Sequence, residues 1–391
     1  MKKICYIATL GTTIESFFIP QMQRLAEEGF DVSLICSPDI PDMAEKLGDR
    51  IRYYPLPIPR GISFGGMLRA MREMERLFRR ERFDLIQYST PNAAFCAALA
   101  GKRTRIPLRN YHLMGLRYLS SHGVMRAALK AIESVTCALS THIECVSKSN
   151  LQLGIREGLF DDQKACVVWN GSSGGVDLRR FDGAKREEYR REIRQKLGIA
   201  QEEFVFGFIG RITKDKGINE LLTAYEKLGR GTLLLVGRLE GEERLDSVLL
   251  HRARENPKVI FTGQIPEAEV ACYDCAMDVL LLPSYREGFG NVVIEAAAMG
   301  TGAIVSDIPG PTDAIEEGLT GATVPPADAA ALEERMRDCL EGRICLRPED
   351  CMDYVCRCFD SEKLCDKIVQ RKKDLLEGKK LFSGRVGETG G

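Results

Sequence analysis

The stretch from Asp278 to Val305 constrains the fold more than any other part of the chain. It begins with an unbroken apolar run, Val279 to Leu282, of the kind that a parallel sheet buries on both faces. A glycine-rich loop follows, and then a helical pattern from Val292 to Met299 that stops at Gly300 before the next apolar run. Strand, loop, helix and strand in this order predict a βαβ unit with parallel strands.

Apolar runs and helical patterns alternate in the same way across both halves of the chain. Near the start, Lys3 to Leu10 and Asp31 to Cys36 flank a helical pattern from Ile19 to Glu28, and similar apolar runs recur from Phe204 to Gly210 and from Thr232 to Gly237. The chain has 391 residues, which is more than one hydrophobic core usually serves. We therefore expect an α/β protein with two doubly wound, Rossmann-like domains.

The loop inside the first stretch carries polar groups suited to a ligand. Glu287 lies between Arg286 and two glycines, Gly288 and Gly290, so that backbone N–H groups are free to approach a bound group. The helix that follows points its N-terminus at this loop and favours an anion there, and Glu295 lies about one turn inside it. Two carboxylates on either side of an anion site suit a nucleotide sugar, although a pair of solvated surface acids fits the same pattern.

A second cluster of charge follows the apolar run that ends at Gly210. Arg211, Lys214 and Lys216 come between this strand and the start of a helical pattern at Ile218. A diphosphate bound there would gain both direct charge pairing and the donors of a helix start. Isolated loop cations are usually solvated, but their position and spacing here favour a phosphate site.

These two segments resemble those of retaining glycosyltransferases of family four. Residues 283 to 296 resemble the E-x7-E element of that family, and Gly210 to Gly217 is similar to its G-R-x-x-x-x-K-G element. The resemblance covers nearly all of the chain and is strongest from Phe204 to Pro325. It implies the GT-B fold, in which two Rossmann-like domains face each other across a cleft, and transfer from a nucleotide-diphosphate sugar, here expected to be a UDP-sugar, with retention of anomeric configuration.

The resemblance also implies roles for individual residues. Arg211 and Lys216 are expected to bind the donor phosphates, Glu287 the hydroxyls of the transferred sugar and Glu295 those of the ribose. Backbone groups complete the expected donor site, around the phosphates and sugar at Gly288, Phe289, Gly290 and Asn291, and against the base at Gly263 and Gln264. The D-x-D triad that holds a metal in other glycosyltransferases does not occur in the sequence, so no obligatory metal is expected.

Two segments in the first half are candidates for the acceptor side. Gly11 and Thr12 follow the first strand without forming G-x-G-x-x-G, and in the family this loop faces the acceptor, although a simple strand-to-helix turn fits equally well. The stretch Gly115 to Tyr118 is similar to the acceptor loop of family members that build bacterial surface polysaccharides. Met114 stands where members carry His, so His112 either takes that polar role, as a candidate catalytic residue, or caps the preceding strand.

Composition and resemblance together predict the domain limits. The segment from Asn170 to Phe181 resembles the family's glycine-rich interdomain linker. We expect an acceptor domain at residues 1–168 and a donor domain at residues 169–358. A C-terminal helix at residues 359–377 is expected to return to the first domain, and residues 378–391 are expected to form a disordered tail.

Charge is uneven although the formal net charge is only −1. From Arg52 to Lys130, fifteen lysines and arginines stand against four acids. A solvated amphipathic helix explains this pattern, and so does a face that rests on anionic lipid. Nucleic acid is not expected because no binding motif accompanies the charge. We expect a cytoplasmic protein with peripheral contact to the inner face of the cell membrane.

The cysteines do not indicate a metal site. There are fourteen, spread through strands and helices, and Cys272 to Cys275 is the only C-x-x-C. A zinc site would need a second pair of ligands nearby, so free thiols in a reducing compartment are the better interpretation.

The function predicted from these features is transfer of a sugar from a UDP-sugar to a saccharide acceptor that is linked to polyprenyl diphosphate. A soluble acceptor or another glycolipid remains open. Two further alternatives are a nucleotide-sugar 2-epimerase on the same fold and a non-catalytic partner subunit of a glycosyltransferase.

Overall fold

A computed structural model describes residues 1–61 and 63–379 of the chain. The chain divides into two compact units, of which the second is Gly175–Ser361 and the first is Met1–Gly174 together with the described residues from Glu362 to Lys379. The chain passes from the first unit to the second after Gly174, six residues beyond the predicted boundary at 168/169. Apart from Gly378 and Lys379, the tail predicted at 378–391 lies outside the described residues.

The first unit is built on a seven-stranded parallel sheet with the strand order β3-β2-β1-β4-β5-β6-β7. The order reverses between β1 and β4, which makes the carboxyl ends of these two strands the switch point where such sheets bind ligands. The strands are β1 (Lys3–Leu10), β2 (Asp31–Ser37), β3 (Ile51–Pro55), β4 (Leu85–Tyr88), β5 (Leu108–Leu113), β6 (His142–Cys145) and β7 (Ala165–Val167).

Helices cover both faces of this sheet, so the first unit is doubly wound. One hydrophobic core contains buried residues of α4, α5 and α6, and the other lies on the opposite face with α2 and α3. Both cores take alternate side chains from the same strands, as the two-residue period of a strand requires. The helices are α1 (Gly11–Phe17), α2 (Ile19–Glu27), α3 (Met43–Leu47), α4 (Phe64–Glu81), α5 (Pro91–Arg103), α6 (Gly123–Leu139) and α7 (Lys148–Arg156).

Strand β5 lies two residues further along the chain than the pattern from Ile106 to Tyr111 predicts. The predicted strand ends at Tyr111, whereas β5 continues to Leu113 because His112 and Leu113 pair with Glu144 and Cys145 of β6. His112 therefore lies inside the sheet and not in the loop after it.

The second unit has a six-stranded parallel sheet with the order β10-β9-β8-β11-β12-β13. The order reverses between β8 and β11, so the loops after these two strands meet at the switch point. Its strands are β8 (Val205–Ile209), β9 (Thr232–Val236), β10 (Val259–Gly263), β11 (Val279–Leu282), β12 (Gly302–Ser306) and β13 (Gly321–Val324). Its helices are α8 (Arg186–Leu197), α9 (Ile218–Leu228), α10 (Ser247–Glu255), α11 (Val270–Ala276), α12 (Asn291–Ala298), α13 (Ala329–Leu340) and α14 (Pro348–Cys358).

A fully buried arginine fixes α8 against the amino-terminal ends of the central strands β8 and β11. The Arg194 guanidinium donates to Asp278 Oδ2 at 2.9 Å and to the carbonyl oxygens of Ala276 and Glu203 at 3.0 and 2.7 Å. Arg190 donates to the other oxygen of Asp278 at 2.7 Å. Because every bond goes to a charged group or a carbonyl oxygen, the buried charge is compensated where it lies.

The last described helix, α15 (Ser361–Leu376), packs on the first unit, and Val369 and Leu375 join its core. Lys372 is fully buried, and its Nζ lies 2.6 Å from Glu144 Oε2 in β6. Burial alone would raise the pKa of Glu144, but the charge and the hydrogen bond of Lys372, together with the charge of Arg371, outweigh it and lower this pKa to about 2. The two residues therefore form an ionised pair inside the first unit.

Candidate active site

The loops after β8 and β11 meet at the switch point of the second unit, and an ion pair joins them. Lys216 Nζ lies 2.5 Å from Glu287 Oε1, and both side chains are largely buried. The hydroxyl of Ser284 donates to the same carboxylate oxygen at 2.8 Å. The fold thus brings together two residues, 71 positions apart, that the sequence assigns to phosphate and to sugar.

Further bonds hold these two loops together. The Tyr285 backbone N–H donates to the Asp215 carbonyl oxygen at 2.9 Å, and the Tyr285 hydroxyl donates to Glu220 Oε1 at 2.6 Å. Arg286 approaches the Asp215 carboxylate at 3.6 Å. The site is therefore supported by its own neighbours, which keeps the positions of Lys216 and Glu287 fixed.

Glycine is required where the loops touch. Gly217 has a φ of +72°, and a Cβ added there would lie 2.0 Å from the Pro283 carbonyl oxygen. Gly310, with a φ of +108°, approaches the Gly288 carbonyl oxygen so closely that a Cβ would lie 2.7 Å from it. Backbone packs directly on backbone at these points, which no larger residue permits without movement.

Helix α12 starts at this junction. Gly290 precedes its first residue, Asn291, in a left-handed conformation and supplies no capping side chain. Phe289 is buried, and its ring contacts the ring of Phe359 with centroids 5.4 Å apart. The positive end of the helix dipole therefore points at the loop that carries Glu287, as an anion site needs.

Glu295 lies in the second turn of α12 in a carboxyl-rich environment. Burial raises the pKa of Glu295 to about 7, against the opposing charge of Arg180. Arg180 is itself paired with Glu267 at 2.5 Å. Asp274 of α11 is also close: it is buried, its pKa is raised well above the ordinary value by burial and by Glu295, and its Oδ2 has no hydrogen-bond partner among the described residues.

Asp274 was not among the residues singled out in the sequence. The only local signal is its place in α11, one turn before β11 and in the middle of Cys272–Cys275. Periodicity does not reveal that α11 turns a carboxyl group inward toward α12. The neighbourhood of Glu295 therefore holds more buried acid than the sequence predicts.

The remaining donor candidates lie at or just after the ends of β8 and β10 of the same sheet. Arg211 follows β8, with an exposed side chain whose Nη1 lies 3.5 Å from Glu240 Oε2. Gly263 ends β10, the edge strand, and its carbonyl oxygen accepts from the Gly237 N–H at 3.0 Å. Gln264 follows in an exposed turn. Arg211 is thus free to move toward a ligand, and the Gly263 turn has its backbone fixed.

Gly11 and Thr12 begin helix α1, where the sequence predicts a loop. Their N–H groups donate to the Asp39 carboxylate at 2.6 and 3.3 Å. A carboxylate at a helix N-terminus is favourable, so Asp39 explains why the chain turns helical directly after β1. Both N–H groups are therefore already hydrogen-bonded to the Asp39 side chain of the protein itself.

His112 is buried in β5 of the first unit. Its Nε2 lies 3.2 Å from the Ser173 hydroxyl, and its ring packs edge-on against Phe18 at 5.3 Å between centroids. Burial lowers the pKa of His112 to about 4, so the imidazole is neutral at physiological pH. It links β5 to the segment that leads out of the first unit, a contact that sequence spacing does not predict.

Within the described residues, no group of three or more His, Cys, Asp or Glu side chains is arranged to hold a metal ion. Over the same part of the chain, no helix is both long enough and apolar enough to cross a membrane.

The fold and this site define a glycosyltransferase, and the chain belongs to the family of group 1 glycosyl transferases. The family description "Glycosyl transferases group 1" matches residues 189–354, and "Glycosyltransferase Family 4" matches residues 18–173. These matches confirm the predicted family, fold class and enzyme class.

Among its relatives, the chain is 30% identical over 342 residues to the capsular polysaccharide biosynthesis glycosyltransferase CapM of Staphylococcus aureus, a match that covers 86% of this chain and 87% of CapM. It is 22% identical over 378 residues to the Escherichia coli UDP-Gal:alpha-D-GlcNAc-diphosphoundecaprenol alpha-1,3-galactosyltransferase, covering 94% and 95% of the two chains. Among solved structures, Anabaena HepE in complex with UDP-glucose shares the fold, with a TM-score of 0.75 and 19% identity over 96% of this chain and 100% of HepE.

Proposed function

We propose that this glycosyltransferase moves a sugar from a UDP-sugar to a saccharide linked to polyprenyl diphosphate, with retention of anomeric configuration, during polysaccharide assembly. The observation that carries the proposal is the Lys216–Glu287 pair at the start of α12. CapM, a glycosyltransferase of capsular polysaccharide biosynthesis, supports polysaccharide assembly, and the Escherichia coli galactosyltransferase, whose acceptor is linked to diphosphoundecaprenol, supports the acceptor class. The HepE complex supports a UDP-sugar as donor.

The donor diphosphate would exchange partners with the ion pair. Without donor, Lys216 is neutralised by Glu287, which also accepts from Ser284. A phosphate oxygen arriving beside the start of α12 attracts Lys216 and releases one oxygen of Glu287 for a sugar hydroxyl, while Ser284 keeps the carboxylate in place. Arg211, which is exposed on the same loop, adds a second positive charge to the departing diphosphate.

The other donor groups have places in this scheme. Glu295 accepts hydrogen bonds from the ribose hydroxyls, and the exposed turn at Gly263 and Gln264 lies against the base. Backbone N–H groups from Gly288 to Asn291 steady the phosphates and the sugar. No metal is required, because two side-chain cations and a helix N-terminus supply the positive charge.

Retention would follow if the acceptor attacks the face that the diphosphate leaves, so that a leaving phosphate oxygen takes the acceptor's proton. His112 is an unsuitable base, since its pKa of about 4 lies well below physiological pH. We assign it, with Gly11 and Thr12, to the acceptor side, as a neutral hydrogen-bonding residue that positions the segment at Ser173. Peripheral contact with an anionic membrane would bring the lipid-linked acceptor to this unit.

The test is a panel of UDP- and GDP-sugars assayed with and without a polyprenyl-diphosphate-linked N-acetylglucosamine. We expect release of UDP that depends on the acceptor and a product whose new linkage keeps the donor's anomeric configuration, read by NMR. An inverted linkage would refute retention. Release of UDP from UDP-N-acetylglucosamine without any acceptor would instead indicate a 2-epimerase, and nucleotide binding without turnover on any acceptor would indicate a non-catalytic subunit.

A further inference from the structure

Helix α6 of the first unit exposes its apolar side to solvent. The exposed fractions of Val124, Met125, Ile132 and Val135 are 87, 49, 38 and 44%. Exposed alanines fill the gaps between these side chains, at positions 127, 128, 131 and 138. Residues three and four apart lie on the same side of a helix, so they form one apolar stripe along most of α6.

The buried side of α6 carries polar groups beside apolar ones, since Cys137 joins the core and Leu129 packs against it. Glu133 and Thr136 are buried, and burial raises the pKa of Glu133 to about 7, with Tyr111 as its hydrogen-bonding neighbour. An ordinary surface helix of a globular protein buries its apolar residues and exposes its polar ones. The apolar outer face of α6 departs from this arrangement and indicates that something apolar covers it when the protein functions.

Helix α4 adds apolar and basic groups on the same face of the sheet. Phe64 and Leu68, in its first two turns, are 84 and 42% exposed. Leu68 also lines a shallow cavity of about 310 Å³ together with Arg69, Arg72 and Arg76. The exposed surface therefore carries cations beside its apolar side chains.

The topology places this surface next to the expected acceptor side. Helices α4 and α6 each connect two strands of a parallel sheet. Both helices therefore begin on the side of the sheet where the carboxyl ends of the strands lie. Between them lies α5, which packs on both. The exposed residues Phe64, Val124 and Met125 thus lie at the carboxyl ends of the strands. Gly11 and the Gly115–Tyr118 segment follow strands at the same end of the sheet.

We propose that the outer face of α6, together with the first two turns of α4, rests on an anionic lipid bilayer. The apolar stripe enters the boundary between headgroups and acyl chains, while Arg69 and Arg72 of α4 lie among the phosphates. A bilayer accounts for both the extent of the stripe and the flanking positive charge. The inference deepens the proposed function and rests on it in one respect, that the acceptor is held by a membrane lipid.

The experiment is co-sedimentation of the full chain with vesicles of phosphatidylcholine that contain phosphatidylglycerol. We expect binding that weakens as salt is raised, because the cations contribute to it. The double variant Val124→Glu/Ile132→Glu should lower the partition coefficient by at least about tenfold, since it places two charges on the inserted face. Both side chains are exposed, so the fold should persist, which circular dichroism checks.

Val248→Glu is the matched control, because Val248 is 57% exposed on α10 of the second unit. It should bind vesicles like the wild type. Equal binding by the double variant and the wild type would overturn the proposal, and so would a wild-type dimer that the double variant dissociates, since the stripe would then be covered by a second copy.

Vesicle binding needs neither substrate, so its outcome is separate from that of the proposed reaction. With a water-soluble saccharide acceptor, the double variant should retain wild-type turnover while it loses turnover on acceptor embedded in vesicles. If no acceptor supports turnover but the variants bind vesicles as expected, the proposed reaction is refuted and the proposed membrane-binding surface is supported.

Discussion

Lowering the pH from 8 to 6 should weaken the binding of a UDP-sugar, because it neutralises Glu295. A carboxylate accepts hydrogen bonds from both ribose hydroxyls, whereas a protonated carboxyl group competes with them as a donor. Burial raises the pKa of Glu295 to about 7, so the charge is lost within this pH range. Glu295→Gln removes the titration and serves as the test variant.

The magnitude follows from the titration curve. With a pKa of about 7, the ionised fraction is about 0.9 at pH 8 and about 0.1 at pH 6. If only the ionised form binds the ribose well, the dissociation constant rises about tenfold over this range, which corresponds to about 1.4 kcal/mol. Glu295→Gln should bind more weakly than the wild type at pH 8 and show a nearly flat profile.

Isothermal titration calorimetry at pH 6, 7 and 8 measures this effect. The ligand should be an intact UDP-sugar, because the terminal phosphate of UDP itself titrates near a pKa of about 6. Glu133→Gln is the control, since Glu133 of the first unit also has its pKa raised to about 7 but lies on α6. An affinity that stays constant from pH 8 to pH 6, or the same decline in Glu295→Gln, would refute the reasoning.

Three further predictions concern the second unit. Lys216→Ala should lower kcat/KM by at least about a hundredfold in steady-state assays, which is the usual scale for losing a charged transition-state contact. Lys214→Ala is the control, because Lys214 is exposed on the same turn, and its kcat/KM should stay near that of the wild type. Arg194→Met should lower the free energy of unfolding in urea by about 1–3 kcal/mol, because it leaves the carbonyl oxygens of Ala276 and Glu203 without the guanidinium that donates to them. Gly217→Ala should lower both Tm and donor affinity, because its Cβ would lie 2.0 Å from the Pro283 carbonyl oxygen. Gly229→Ala is the control: Gly229 has a similar φ, but its Cβ would lie 3.9 Å from the Glu226 carbonyl oxygen, so this variant should lower Tm alone.

The sequence predicts the architecture and the donor loops because both are encoded locally. The apolar run at Val279–Leu282 and the helix that ends near Met299 appear in the structure as β11 and α12, within one residue of their predicted limits. Parallel topology then brings the loops after β8 and β11 together at the switch point. The meeting of Lys216 and Glu287 follows from this topology, although their direct ion pair was not predicted.

Other features depend on pairing and burial between distant segments, which no local pattern reports. His112 was predicted to follow a strand, but pairing with Glu144 extends β5 past it. Strand β13 was missed because Val324 is the only one of its four residues with a large apolar side chain, so no apolar run marks it. The exposed stripe of α6 was also missed, since periodicity shows that a helix has an apolar side and not which side faces outward.

The Glu144–Lys372 pair joins residues 228 positions apart, and this separation affects how the protein is made. At about 5–20 residues per second, a ribosome needs roughly 10–45 s to reach Lys372 after it has added Glu144. During that interval the first unit has all of its strands but lacks the cation that compensates a buried carboxylate. The nascent first unit therefore remains incomplete until the second unit and α15 have been synthesised.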